Sequence, residues 1–216
     1  MAVLSLAVAL QIAGQCALDA KPETLLPIIA TESAFDPLAI KDNIDGRSYS
    51  PASVDAAERL ASQLIALHHN LDLGAAQINW ASGHLQHRNL PLRAAFDQCT
   101  SFRVGSQVLA ECWDRAVGAT EQLRLRNAVG CYNTGSPNRG AAYAARVWQA
   151  AKRIVPAIQL AGSNQEPATP EDVRTPEPRR APPGLEDALH AGPASSDADD
   201  DIADALHHPT APKEDQ

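Results

Sequence analysis

The stretch PETLLPIIATESAFDP, residues 22–37, organises the chain on either side of it. Pro22 suits the first turn of a helix, where its missing N–H would have no intrahelical partner. The chain leaves through Phe35-Asp36-Pro37, because a residue before proline is pushed out of the α region. The spacing therefore predicts a helix over 22–33. Leu25, Leu26, Ile28 and Ile29 form its apolar side, and Pro27 removes one backbone donor, which favours a bend. Glu32 follows Ile29 by three residues and Ile28 by four, so it falls in the last turn on that apolar side, an unusual place for a carboxylate.

Downstream, residues 38–41 and 47–50 read as strands flanking the turn signal Asp42-Asn43-Ile44-Asp45-Gly46. Ser53 is an N-cap for an Ala- and Leu-rich helix reaching about Leu67. Residues 71–79 read as strand and turn, with Gly74 permitting a tight backbone path. Helical patterns follow over roughly 97–117, 120–131 and 139–154. The expected fold class is mainly α, with a small β insertion.

Every aromatic residue lies between Phe35 and Trp148, so a packed core is expected only upstream of about residue 160. From Gly162 onward there are 13 Asp or Glu against 4 Lys or Arg, a balance of −9, while the whole chain carries −8 and the body therefore about +1. The near-neutral body argues against a nucleic-acid partner, which would require a clustered basic face. Nine of the sixteen prolines follow Gly162, and residues 197–201 are an acidic run. Residues 158–216 are expected to be a disordered Pro/Asp-rich tail, in which a short helix around 200–207 could form on a partner.

At the other end, MAVLSLAVAL, residues 1–10, resembles the apolar core of an export leader, so residues 1–15 read as a signal peptide and 16–157 as the domain. No Lys or Arg precedes the run and no A-x-A site follows, which keeps a short buried strand or helix as the alternative. The run is too short to span a bilayer. Gln15 stands where a lipoprotein anchor at Cys16 would require a small residue. Cys16, Cys99, Cys112 and Cys131 contain no C-x-x-C pair, which argues against zinc. If they form two disulfides, all three connectivities remain open.

Three separated segments carry the chemistry: Thr31-Glu32-Ser33-Ala34-Phe35-Asp36-Pro37, Gly74-Ala75-Ala76-Gln77-Ile78-Asn79 and Cys131-Tyr132-Asn133-Thr134-Gly135. In that order they resemble the three signature motifs of lytic transglycosylases with the soluble-transglycosylase fold, relatives of goose-type lysozyme, over roughly residues 16–155. Between Glu32 and Gln77 stand 44 residues, more than in many members. That insertion, the cysteine positions and the tail look most like the transglycosylases attached to type IV secretion and conjugation systems. The resemblance implies a lysozyme-like helical domain, a cofactor-free enzyme cleaving the MurNAc-GlcNAc β-1,4 bond of peptidoglycan, a periplasmic location, and a tail available to secretion-system components.

It also implies roles. Glu32 would be the single acid and base: it protonates the leaving oxygen and then deprotonates the C6 hydroxyl that attacks the anomeric carbon, leaving a 1,6-anhydromuramic end. An acid of this kind needs a pKa raised by an apolar setting, which the helix end with Ile28, Ile29 and Phe35 offers. Gln77 would bind sugar through its amide, with Asn79 as a second such group. Tyr132 would hydrogen-bond and orient the catalytic carboxylate, with Asn133 bracing or touching substrate. The usual Leu-Met pair before the glutamine is Ala75-Ala76 here, which removes the methionine's contact with the sugar. Cys131, next to Tyr132, suggests a disulfide that pins this segment.

Other features read as structural. His68-His69 and His84-x-x-His87 lack partners at metal-ligand spacing, and Trp80, Trp113 and Trp148 read as core or groove wall. Two competing readings remain. One is a hydrolytic muramidase on the same scaffold, using a second carboxylate from Asp36, Asp42, Asp45 or Asp72; the other is a non-catalytic peptidoglycan-binding assembly protein.

Overall fold

The computed structural model describes residues 3–137, 139–163 and 184. Most of the segment read as an acidic tail lies outside the described residues. The elements in chain order are α1 (Leu6–Cys16), α2 (Pro22–Ser33), β1 (Ile40–Asp42), β2 (Ser48–Tyr49), α3 (Val54–Ala66), β3 (Leu71–Leu73), β4 (Ile78–Asn79), α4 (Gln98–Arg115), α5 (Glu121–Thr134) and α6 (Ala141–Ser163). Two single-turn helices, Gln86–Arg88 and Leu92–Phe96, connect β4 to α4.

The helix over 22–33 stands as expected, with Pro22 in its first turn and Pro27 buried inside it. Leu25, Leu26, Ile28 and Ile29 are fully buried. Helix α2 packs against α6, and α4 and α5 pack on one another and on these two, so the core forms around α2. Caps set the other helix starts: the side chains of Ser53, Asp97 and Thr120 each accept a backbone N–H of the following turn. The β insertion is a four-stranded antiparallel sheet in the order β2-β1-β3-β4, with Ile40 opposite Leu73 and Asp72 opposite Asn79. Its apolar face, Ile40, Leu71, Leu73 and Ile78, joins the core.

Two boundaries differ from the sequence reading. In the structure the apolar run at the start of the chain forms a short helix that continues to Cys16. Helix α1, capped by Ser5, buries Ala9 and Ala13 against the domain and packs on α4 and α2. At the other end α6 passes Pro156 and continues to Ser163. Burial of Val155 and Ile158 offsets the one backbone bond that the proline removes. Among the described residues no helix is long and apolar enough to cross a membrane.

The cysteines pair as Cys16–Cys99 and Cys112–Cys131. The first ties the end of α1 to the first turn of α4. The second ties α4 to α5 one residue before Tyr132.

Candidate active site

A cleft of about 540 Å³ runs between the β3–β4 edge of the sheet and the α4–α5 pair. Glu32, Gln77, Asn79, Tyr132 and Asn133, all singled out in the sequence, line it. None of the three tryptophans does.

Glu32 is held at the end of α2, which stops because Ala34 and Phe35 both take the left-handed conformation at φ 50° and 64°. Two consecutive non-glycine residues there are strained, and such strain persists only where the surroundings over-determine it. The Ser33 hydroxyl, next to Glu32, donates to the Ala75 carbonyl at 2.7 Å and so ties the first motif to the second.

The second motif turns tightly. Gly74, at φ +71°, has no room for a side chain, since a Cβ there would lie 1.9 Å from the Ala95 carbonyl oxygen. Gln77 follows at φ 48°. Its Nε2 donates to the carbonyls of Gly74 at 2.9 Å and Ala39 at 3.3 Å, which leaves Oε1 without a partner among the described residues. Half of this amide therefore braces the turn and the other half faces the cleft. Ala75 and Ala76 are fully buried, and the Ala76 N–H donates to Ser101 Oγ. They stand in the core, away from the cleft wall, so the sugar contact that a methionine would make has no counterpart at residue 76.

The third motif departs from the resemblance at one atom. The Tyr132 hydroxyl donates to the Ala76 carbonyl at 2.8 Å and not to Glu32. The close approach depends on Gly105 in α4: a Cβ there would come within 2.9 Å of the Ala76 Cβ and 3.1 Å of the Tyr132 hydroxyl oxygen. Tyr132 thus locks the second motif to the third. The hydroxyl that meets Glu32 belongs to Tyr143 in α6, which donates to Oε1 at 2.5 Å. Arg146 lies over the Tyr143 ring, 5.4 Å from its centre. Tyr143 falls outside all three motifs, in an alanine-rich helical run where it reads as core. Its one signal is the Tyr143-x-x-Arg146 spacing, which puts two polar-tipped side chains on one helical face.

Burial pushes the Glu32 carboxyl up to about 7; the hydrogen bond from Tyr143 works against this, the negative charge of Asp72 adds to it, and Arg146 opposes it. Glu32 can therefore be protonated or ionised near neutral pH. Burial and the Glu32 charge drive the phenols of Tyr143 and Tyr132 well above their ordinary value, so both stay neutral donors.

Of the four other carboxylates named from the sequence, Asp72 alone lines the cleft. Its two oxygens accept from Asn79 Nδ2 at 2.7 Å and Asn43 Nδ2 at 2.9 Å. Asn79 also donates to Asn70 and accepts from the backbone and hydroxyl of Ser82, so its amide is committed to the protein. Its role in the structure is to brace Asp72, where a sugar-binding amide was expected. Asp36 is held by Ser50 and the Leu38 N–H, and Asp45 by Arg47. Asp42 is buried beside His69; burial would raise its carboxyl, but the Ile44 N–H and the His69 ring outweigh that and hold it below the usual range. His84 lines the cleft with its pKa lowered, chiefly by burial. Among the described residues no group of three His, Cys, Asp or Glu could hold a metal ion.

The profile of the family described as "Transglycosylase SLT domain" matches residues 10–155, and the chain belongs to that family, the peptidoglycan lytic transglycosylases. Within it the chain is similar to "Protein virB1" of Agrobacterium fabrum, 34% identical over 181 residues that make up 80% of this chain and 72% of that protein. It is also similar to "Type IV secretion system protein virB1" of Brucella abortus, 37% identical over 136 residues, 59% of this chain and 54% of that protein. The chain thus spans a little over half the length of the Brucella relative. No solved structure matches at the same stringency.

Proposed function

We propose that the protein cleaves the MurNAc-GlcNAc β-1,4 bond with Glu32 as its only proton-transfer group. Protonated Glu32 gives its proton to the glycosidic oxygen as the C1–O bond breaks. The ionised carboxylate then takes the proton of the muramic C6 hydroxyl while that oxygen bonds to C1. The ring closes as a 1,6-anhydro end, Glu32 returns to its acid form and no water is consumed. The substrate's acetamide group stabilises the cation-like stage. Gln77 Oε1 and the exposed Asn133 amide contribute hydrogen bonds to the sugar, and the Tyr143 hydroxyl orients Glu32 in both protonation states.

The observation that carries this reading is the contrast between the two cleft carboxylates. Glu32 titrates near neutrality and faces one donor, whereas both oxygens of Asp72 are occupied by amides. Similarity to the virB1 proteins supports a periplasmic site of action, where the enzyme opens the wall for a type IV secretion or conjugation apparatus. The tail beyond the described residues is the proposed contact for components of that apparatus. Mass spectrometry of products released from purified sacculi tests the chemistry: anhydromuramic ends from the native protein and none from Glu32→Gln are expected.

The second reading, hydrolysis, draws on the position of Asp72, whose charge reaches Glu32 from the sheet side of the cleft. Reducing-end products in the same experiment would establish it in place of the first.

A further inference from the structure

The cleft is uneven in charge. Its sheet side holds Glu32, Asp72 and a set of amides, and Arg115, from the last turn of α4, stands among the residues that line it. The Arg115 guanidinium is fixed by neutral groups. Nε donates to the Glu111 carbonyl at 3.2 Å and Nη1 to the Gly135 carbonyl at 3.3 Å, while Nη2 lies 3.5 and 3.3 Å from the sulfurs of Cys112 and Cys131.

Arg88 and Arg93 differ in this respect. Arg88 is neutralised by Glu111 at 2.5 Å, and Arg93 by Asp55 and Glu58 at 2.6 and 2.7 Å. Carbonyls and sulfurs orient a guanidinium without cancelling its charge, so Arg115 presents a positioned cation with no carboxylate partner among the described residues. Hydroxyl and acetamido oxygens of a glycan can accept its hydrogen bonds but leave its charge uncompensated; a carboxylate compensates it as well, through charge-assisted and two-pronged hydrogen bonds. In peptidoglycan, carboxylates are carried by the short peptide attached to the lactyl group of muramic acid.

We propose that Arg115 is a subsite for a carboxylate of this peptide stem, which makes the enzyme selective for strands whose stem carboxylates are free. The proposal rests on the peptidoglycan-cleaving reading above. Its test is steady-state cleavage of glycan strands whose stems carry free carboxylates and of the same strands with those carboxylates converted to amides, with the native protein, Arg115→Gln and Arg115→Lys.

Arg115→Gln is expected to raise KM about tenfold on strands with free stem carboxylates, with kcat within about twofold, to leave cleavage of the amidated strands unchanged, and to be partly rescued by Arg115→Lys. Equal losses on both substrates would make Arg115 a scaffold for the disulfide and overturn the proposal, as would no change on either. A native protein that cut neither substrate would instead overturn the peptidoglycan-cleaving reading itself.

Discussion

The Tyr143 hydroxyl reaches Oε1 of Glu32 across 111 residues of chain, joining the last helix of the domain to the end of its second. A donor aimed at a carboxylate favours the charged form, so this bond opposes the burial that raises Glu32. In Tyr143→Phe the Glu32 pKa should rise further above 7, and the alkaline activity limb, where the protonated form of Glu32 is lost, should move to higher pH. A fall in kcat of about 10- to 100-fold is expected from lost orientation. Tyr132→Phe, which loses only the bond to the Ala76 carbonyl, should cost about 1 kcal/mol of stability and leave the profile in place. Rate–pH profiles of the two variants check both statements.

Asp72→Asn should move the same limb the opposite way. Its negative charge helps to hold Glu32 protonated, so its removal lowers the Glu32 pKa. If the profile of Asp72→Asn does not move, no such electrostatic link exists between the two carboxyls.

Stability should carry the imprint of Glu32 as well. Its carboxyl rises from 4.5 in the unfolded chain to about 7 in the folded one, so between these values the folded state binds more protons and loses stability as pH rises. Glu32→Gln removes this burden. Its gain over the native protein should grow from pH 4.5 to pH 8 by about 1 to 3 kcal/mol, reduced from the full shift because the group opens onto the cleft. Thermal unfolding at the two pH values measures it.

The two disulfides should separate stability from activity. Cys16–Cys99 spans 83 residues and Cys112–Cys131 spans 19, so their loss should cost about 4.5 and 3 kcal/mol on a chain-entropy account. Only the second lines the cleft, beside Tyr132 and Arg115. The Cys112→Ser/Cys131→Ser pair should therefore lower activity more than Cys16→Ser/Cys99→Ser, although it unfolds less readily. Denaturant titration and turnover on sacculi read the two effects.

Gly105→Ala tests the packing beneath the site. The added methyl would press on Ala76 and the Tyr132 hydroxyl, and overpacking of this kind costs about 1 to 3 kcal/mol. The melting temperature should fall even though alanine is the better helix former.

Features whose causes are local were legible in the sequence. Pro22 and Phe35-Asp36-Pro37 bound α2, Ser53 caps α3, and the strand pairs follow their turn residues. The position of Glu32 on the apolar side of its helix was legible for the same reason. What escaped the sequence depends on groups distant in the chain. The packing of residues 6–16 depends on the surface of α4, and Pro156 is passed because Val155 and Ile158 are buried. Tyr143 looks like core until α6 is laid against α2. Asn79 looks available to a sugar until Asp72, Asn70 and Ser82 are seen around it. The pairing of the cysteines is likewise a fact of tertiary structure.

The seating of α1 has a consequence in time. Helix α1 precedes its partners in the chain: the α4 surface on which it packs, and the thiol that pairs with Cys16, arrive about 80 residues later. Until then α1 has only α2 to pack on, and its cysteine is a free nucleophile. The α1 end of the domain is thus secured only once α4 is made, and its disulfide can close only in an oxidising compartment.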